Sequence, residues 1–380
     1  MLYYFLQQVF AGRHYAYENT LFRGACSAII CFFFVLLLMP WMIRRLVAMK
    51  LGDRPEFDHA TLNELTRDKA NVPTMGGLLI LAAIGLAMLL LSDLRNFYVL
   101  MGLVCLVWLG AVGAIDDWLK LTSKRRERSR DGLKVYQKLL FQLGLGVVLG
   151  CYIFRHGQGN FAVLSPAVEA TLVPAYKILS VPFYKHGIQL GTLAFMVVTV
   201  LVMTGTSNAV NLTDGMDGLA AGCTAMCALV FAILSYVVGS GELSEKLLMP
   251  HIPRTDELVI LCGAILGACL GFLWHNCHPA RVFMGDTGSL PLGGLIGYVA
   301  VVTRQELMLL IAGGVFVIEA VSVLSQIGYF KWTGGRRLFR CAPIHHHFHL
   351  GGWSEPQTVI RFWLVGAMFA FAALASIKLR

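Results

Sequence analysis

"AVNLTDGMDGLA", residues 209–220, lies between two charge-free stretches, 186–213 and 218–241. Twenty helical residues cross about 30 Å of hydrocarbon, and each flank exceeds that length. Charge is costly in such a medium, so Asp214 and Asp217 belong where the chain leaves the membrane. The rest of the chain supports reading the flanks as spans. Of 380 residues, 57% are hydrophobic and 14% charged, too little polar surface to cover a soluble core. Runs 24–43, 70–92, 96–115 and 258–280 carry no charge; 139–154, 287–303 and 362–377 are weaker, and 307–330 is interrupted only by Glu319. The runs are continuously apolar rather than alternating, which favours helices over a barrel. The expected fold class is all-α: a polytopic membrane protein of about ten transmembrane helices forming one integral domain over 1–380. An interfacial segment is expected at 1–20 and an external loop, with a hairpin, at 155–190.

Ten spans put both termini on one side. The connectors after odd-numbered spans hold 19 Lys or Arg, and the two ends with the remaining connectors hold 11. The positive-inside rule makes the first set cytoplasmic and both termini external. The net charge of +9 then reflects topology and anionic partners and calls for no nucleic acid. "MLYYFLQQVFAGRHYAYEN" lacks the basic start and small-residue cleavage site of a signal peptide and reads as an interfacial helix. The ten cysteines form no C-x-x-C pair and read as small buried hydrophobes.

Unusual polar residues gather in five connectors, all on the side assigned to the cytoplasm. They are "DKANVPTMGG" (68–77), "AIDDWLK" (114–120), "NLTDGMDG" (211–218), "WHNCHPARVFMGDTGS" (274–289) and "APIHHHFHLGGW" (342–353). Acids gathered at helix ends on one face suit a divalent cation and a phosphorylated substrate. Each has a plainer reading. Asp116 and Asp117 are equally a solvated stop signal. Asp214 or Asp217 serves as an N-cap for the next span, and Asp286 between Gly285 and Gly288 serves likewise. Asn276 and Arg281 in the same loop as Asp286 favour a ligand, and Phe283 offers either membrane contact or a stacking face. His345, His346, His347 and His349 are too crowded to converge on one zinc ion, and a phosphate ligand or proton carrier fits better. The basic run 124–138 reads as a solvated, orienting face, with Lys138 a candidate for a lipid phosphate. Glu319 in mid-span either supports the function or marks a bend.

Two function classes fit: a transporter whose acids bind a cation, and an enzyme joining a water-soluble phosphorylated donor to a lipid. Transport needs polar groups near the midplane and on both sides of the path. The polar residues crowd one face, which favours the enzyme.

"PTMGG", "DDWLK", "NAVNLTDGMDGLA", "FMGDTGSL" and "APIHHHFHLGGW" resemble, in motif order over about 20–380, the phospho-N-acetylmuramoyl-pentapeptide transferase family. That family lies within the polyprenyl-phosphate N-acetylhexosamine-1-phosphate transferase superfamily. Siblings that transfer GlcNAc-1-phosphate are the alternative, and the histidine motif points to the muramoyl branch. The resemblance implies a bacterial inner-membrane enzyme of peptidoglycan synthesis. It would move phospho-MurNAc-pentapeptide from UDP-MurNAc-pentapeptide to undecaprenyl phosphate, with magnesium, releasing UMP. Membrane lipid is an implied partner, and a homodimer is a further expectation. Position by position, it implies that Asp116 and Asp117 serve the lipid phosphate and its deprotonation. Asp286, with Asp117, would ligate magnesium, and His345 would lie beside the diphosphate. Lys69, Asn211, Asp214, Gly215, Met216, Asp217, Asn276, Phe283, Gln326 and His346 would line the nucleotide and sugar pocket, Phe283 stacking on uracil. Lys120 and Lys138 would follow the lipid-phosphate groove. Trp118 stands where the family commonly has Tyr, and His275 where an aromatic is usual.

Overall fold

Asn19 opens the first long helix: its side-chain oxygen accepts the backbone N–H of Leu21 (2.8 Å) and Phe22 (3.3 Å), two donors a helix start leaves orphaned. The computed structural model describes residues 1–9, 16–49, 69, 72–125, 132–157, 161–163, 172–184 and 187–378. Much of the 44–69 connector and residues 126–131 of the basic run lie outside the described residues. The helices are α1 (Leu2–Val9), α2 (Thr20–Ala48), α3 (Gly77–Leu91), α4 (Phe97–Arg125), α5 (Val135–Gly157), α6 (Thr192–Thr213) and α7 (Leu219–Gly239). They continue as α8 (Gly241–Lys246), α9 (Leu258–Asn276), α10 (Asp286–Val302), α11 (Glu306–Ala312), α12 (Gly314–Trp332), α13 (Ile344–His349) and α14 (Glu355–Lys378).

The protein is an all-α polytopic membrane protein. Among the described residues, eight helices, α2, α4, α5, α6, α7, α9, α12 and α14, are long and apolar enough to cross a bilayer, and α3 and α10 are shorter apolar helices. The difference from ten full spans has a local cause. Residues 73–76, charge-free and so counted with span two, are not helical: Phe283 N donates to Pro73 O (2.8 Å), Met75 has φ 73°, and Gly76, in a turn, donates its N–H to Phe283 O (2.9 Å). Helix α10 is shielded instead of lipid-facing, buried throughout from Thr287 to Val302. Of the two readings left open for Glu319, the bend does not hold: the ninth span breaks at Gly313, between α11 and α12, and Glu319 lies within α12. Between α5 and α6, β1 (Phe161–Val163) pairs antiparallel with β2 (Leu172–Pro174), and β3 (Ile178–Leu179) with β4 (Ile188–Gln189).

Small residues let the backbones approach. Gly263, Gly267 and Gly271 form one stripe of α9 against α2; a methyl group on Gly267 would sit 1.9 Å from the carbonyl oxygen of Ala28. The same device aligns the helix ends. A methyl on Gly77 would lie 2.3 Å from Gly288 N, and one on Gly113 would lie 2.2 Å from Asp286 O. Helices α3 and α4 therefore press directly on the N-terminus of α10.

The opposite end is less bare than the distribution of motifs implies. Arg23 grips both oxygens of Glu257 (2.5 and 3.0 Å) and Leu91 O (2.9 Å), while Arg254 pairs with Asp93 (2.5 Å). Buried Arg304 pairs with Glu306 and donates to Ile178 O (2.9 Å), fastening the β3–β4 pair. The Arg23–Glu257 and Arg254–Asp93 pairs join residues distant in sequence that meet only when the helices pack, and Arg23 and Arg304 also satisfy helix-end or loop carbonyls.

Candidate active site

The N-terminus of α10 is built from two helices. Its N-cap residue, Gly285, has φ 73° and no side chain to accept the first N–H groups. Asp117 of α4 accepts them instead: Oδ1 from Asp286 N (3.1 Å), and Oδ2 from Thr287 N (2.9 Å) and Thr287 Oγ1 (2.6 Å). Asp286 is thereby relieved of capping, and its carboxylate turns to other partners. Oδ1 accepts from Asn211 Nδ2 (2.8 Å), and Oδ2 meets Lys138 Nζ (2.6 Å) and Lys120 Nζ (3.1 Å). Asp116 lies beneath, fully buried, its Oδ2 2.7 Å from each of the same two ammonium groups and its Oδ1 accepting Leu133 N (2.7 Å). The reading of "DDW" as solvated acids is excluded by this burial.

Three carboxylates thus face two ammonium groups. Asp214, half-buried in the turn after α6, adds a fourth acid; burial, then the charges of Asp286, Asp117 and Asp217, holds its carboxyl well above the usual carboxylate range. Neither Asp214 nor Asp217 caps α7. Both lie in the turn, the N-cap is Gly218 at φ 81°, and Gly218 N donates to Asn276 Oδ1 (2.9 Å).

A second charged group closes the other end. Lys69 Nζ lies 2.5 Å from both Asp217 Oδ1 and Glu355 Oε1, and 5.9 Å from the centre of the Phe283 ring. Asp217 Oδ2 accepts Ala280 N (3.1 Å) and faces His278 Nδ1 (3.1 Å). Among the described residues, two triplets are close enough to share a metal ion: Asp116, Asp117, Asp286 and Asp217, His278, Glu355. In the second, the Lys69 ammonium already supplies the positive charge. The first retains more negative than positive groups.

The histidine segment reaches the same cavity from α13. His345 is fully buried, its Nδ1 3.0 Å from Glu319 Oε2 of α12. A carboxylate opposite Nδ1 keeps the proton there and leaves Nε2 for the site. That nitrogen has no hydrogen-bond partner among the described residues and lies against Gly215, where a methyl group would come within 2.5 Å of it. His346 is buried beside it; burial, then the charges of His345, His349 and Lys69, lowers its pKa well below the ordinary imidazole value. His347 accepts Arg340 N and His349 Nδ1 meets Trp353 O, so the four rings share no centre. If Glu319 sets the tautomer of His345, Glu319→Gln should lower kcat about 100-fold with unchanged thermal stability. A variant within twofold of wild type in a turnover assay would refute that role.

A cavity of about 250 Å³ joins the two ends. Of the residues singled out in the sequence, Lys69, Asp117, Lys120, Asn211, Asp214, Gly215, Met216, Asp217, Asn276, Phe283 and Asp286 line it, together with Thr74 and Gly285. Asp116 and Lys138 form its floor through their ion pairs, and His345 and His346 stand behind Gly215. Gln326 is not brought there: its side-chain oxygen accepts Leu338 N (3.1 Å) and Phe339 N (2.9 Å) after α12.

The family model described as glycosyl transferase family 4 matches residues 99–304. A phospho-N-acetylmuramoyl-pentapeptide-transferase from Desulforapulum autotrophicum is 41% identical over 95% of this chain and 93% of its own length. Proteins of the same name from Thermodesulfovibrio yellowstonii and Desulfotalea psychrophila are 40% and 41% identical, covering 96% and 100% of this chain and 95% and 99% of their own. The chain belongs to the phospho-N-acetylmuramoyl-pentapeptide-transferase family. It is a membrane-embedded transferase, and the transporter reading falls.

Within the frame of that transferase family, four residues of this chain went unnoticed in the sequence or unassigned. Glu355 is singled out by no motif, and Thr74 lies within "PTMGG" without a role assigned to it. His278 was one of eleven histidines, and Glu319 had no visible partner. Thr74 and His278 carried the signal of lying within quoted motifs, Glu319 that of a charge in an apolar span, and Glu355 only that of a helix start, which it shares with many capping acids.

Proposed function

We propose that this enzyme transfers phospho-MurNAc-pentapeptide from UDP-MurNAc-pentapeptide to undecaprenyl phosphate, releasing UMP, at the cytoplasmic face of the bacterial inner membrane. The observation that carries this reading is the Asp286 cluster. Two lysines and an excess of carboxylates meet at one helix N-terminus, the arrangement that phosphoryl transfer between two anions requires. In the transfer, a lipid-phosphate oxygen bonds to the phosphorus borne by the sugar, and the bond from that phosphorus to the bridging oxygen of UMP breaks. Lys120 and Lys138 would receive the lipid phosphate, oriented from below by Asp116. Direct attack is favoured over an aspartyl intermediate on Asp117, because both its oxygens are engaged in holding the α10 turn.

A magnesium ion fits the donor set, which is all oxygen. Asp286 would hold it with Asp117, whose three accepted hydrogen bonds leave one of about four lone-pair positions; bound there, it would neutralise diphosphate charge. At the other end, the Phe283 face beside Lys69 supports stacking of uracil. An apolar groove of about 290 Å³ between α6 and α11–α12, lined among others by Leu201, Ala209, Leu309 and Phe316, suits a polyprenyl chain.

Incubating purified protein with UDP-MurNAc-pentapeptide, polyprenyl phosphate and magnesium should yield UMP and lipid-linked product. Product from UDP-GlcNAc alone would make it a sibling transferase. Sidedness is testable separately. Cys277, exposed in the connector before α10, should react with a membrane-impermeant maleimide in inside-out vesicles and resist it in intact cells. The reverse pattern would overturn the cytoplasmic assignment.

A further inference from the structure

Glu355 stands outside the five motifs quoted above. It opens α14, is 9% exposed, and does not serve its own helix start: Ser354 does, its hydroxyl accepting Gln357 N (3.4 Å) and its carbonyl Thr358 N (2.9 Å). The carboxylate is directed into the cavity. One oxygen accepts both Lys69 Nζ (2.5 Å) and Asp217 N (2.8 Å), and the other lies 3.6 Å from His278 Nδ1. One side chain from the last helix therefore gathers three connectors distant in sequence: the segment at Lys69, the Asp214–Gly218 turn and the loop bearing His278 and Phe283.

We propose that Glu355 is a positioning residue for the nucleotide donor, holding the Lys69 ammonium beside the Phe283 ring and the Asp217 turn at the end of the cavity remote from Asp286. The proposal rests on the reading that this end receives the UDP moiety. Lys69 is shared between two carboxylates, so its charge is largely compensated. Such an ammonium is suited to an uncharged carbonyl edge, as a pyrimidine base presents, more than to a diphosphate, which the lysines at Asp286 are placed to meet. Without the Glu355 charge, Lys69 keeps only Asp217 and is free to swing from the ring. The chemistry at Asp286 does not depend on this tie, so the effect belongs in donor affinity.

The test is steady-state kinetics of the full chain in detergent, varying UDP-MurNAc-pentapeptide and polyprenyl phosphate separately. Glu355→Gln, which preserves shape and an acceptor for Asp217 N, should raise the donor KM about tenfold. kcat and the polyprenyl-phosphate KM should stay within about twofold, and Glu355→Asp should restore part of the loss. A purely structural residue would instead lower the thermal midpoint and disturb all three constants together, and that result would overturn the proposal. An unchanged donor KM in Glu355→Gln, with a raised one in Lys69→Ala and Phe283→Ala, would also overturn it. If those two variants too leave the donor KM unchanged, the assignment of the donor to this end fails, and the role of Glu355 with it. Should Glu355→Gln not fold, Glu355→Asp carries the same comparison, with a smaller donor-specific rise expected.

Discussion

Asp286→Asn is expected to lower kcat by roughly a thousandfold or more while the protein stays folded. The amide retains an oxygen that can still accept from Asn211 Nδ2, so the contact between α6 and α10 survives in part. The negative charge is lost, and with it the group that Lys138 approaches at 2.6 Å and Lys120 at 3.1 Å. Those ammonium groups then keep Asp116 as their near carboxylate (2.7 Å each), with Asp117 3.9 Å from Lys120. The donor set for a hard divalent ion loses the carboxylate least occupied with the fold. The measurement is UMP release across a magnesium series, with thermal unfolding monitored in the same detergent. Substantial turnover at any magnesium concentration would refute the role given to this residue.

Asp117 offers a sharper contrast between two substitutions. Asp117→Ala leaves the N–H groups of Asp286 and Thr287 and the Thr287 hydroxyl without their acceptor at a buried helix start, a loss of about 2–4 kcal/mol of stability. Asp117→Asn keeps one acceptor oxygen and presents an amide N–H₂ where the other received hydrogen bonds. The helix start should remain folded but shifted. We expect kcat to fall about 100-fold with donor affinity within twofold of wild type. Calorimetric titration with UDP-MurNAc-pentapeptide and single-turnover rates separate these quantities. Loss confined to nucleotide binding would contradict a role at the phosphate end of the cavity.

Hydropathy alone located each apolar helix, because burial in lipid demands unbroken runs whatever the neighbours are. It misjudged lengths where the chain turns inward. Residues 73–76 carry no charge and so read as part of a span, yet they form an irregular entry to α3, tied to Phe283 through Pro73 and Gly76. The motif residues were legible as a group, since small, acidic and amide side chains at helix ends are costly unless used. Their division of labour was not. Asp117, which the sequence reads as a ligand or base, also caps another helix, while Gln326, read as a pocket residue, is bound to Leu338 and Phe339 backbone. No local pattern distinguishes these uses.

Composition, run length and the clustering of polar connectors determined, from the sequence by itself, an all-α membrane protein with its chemistry at one end. The tertiary structure alone decided which acid caps α10, which faces the two lysines and which ties the far end of the cavity. Asp117 meets Thr287 from 170 residues away, His345 meets Glu319 from 26, and Glu355 meets Lys69 from 286. The first of these depends on how closely α3 and α4 pack against α10, through glycines whose missing methyl groups set distances of a few ångströms. Hydrogen bonding and ion pairing are decided within about an ångström, a scale set by helix packing and not by spacing along the chain.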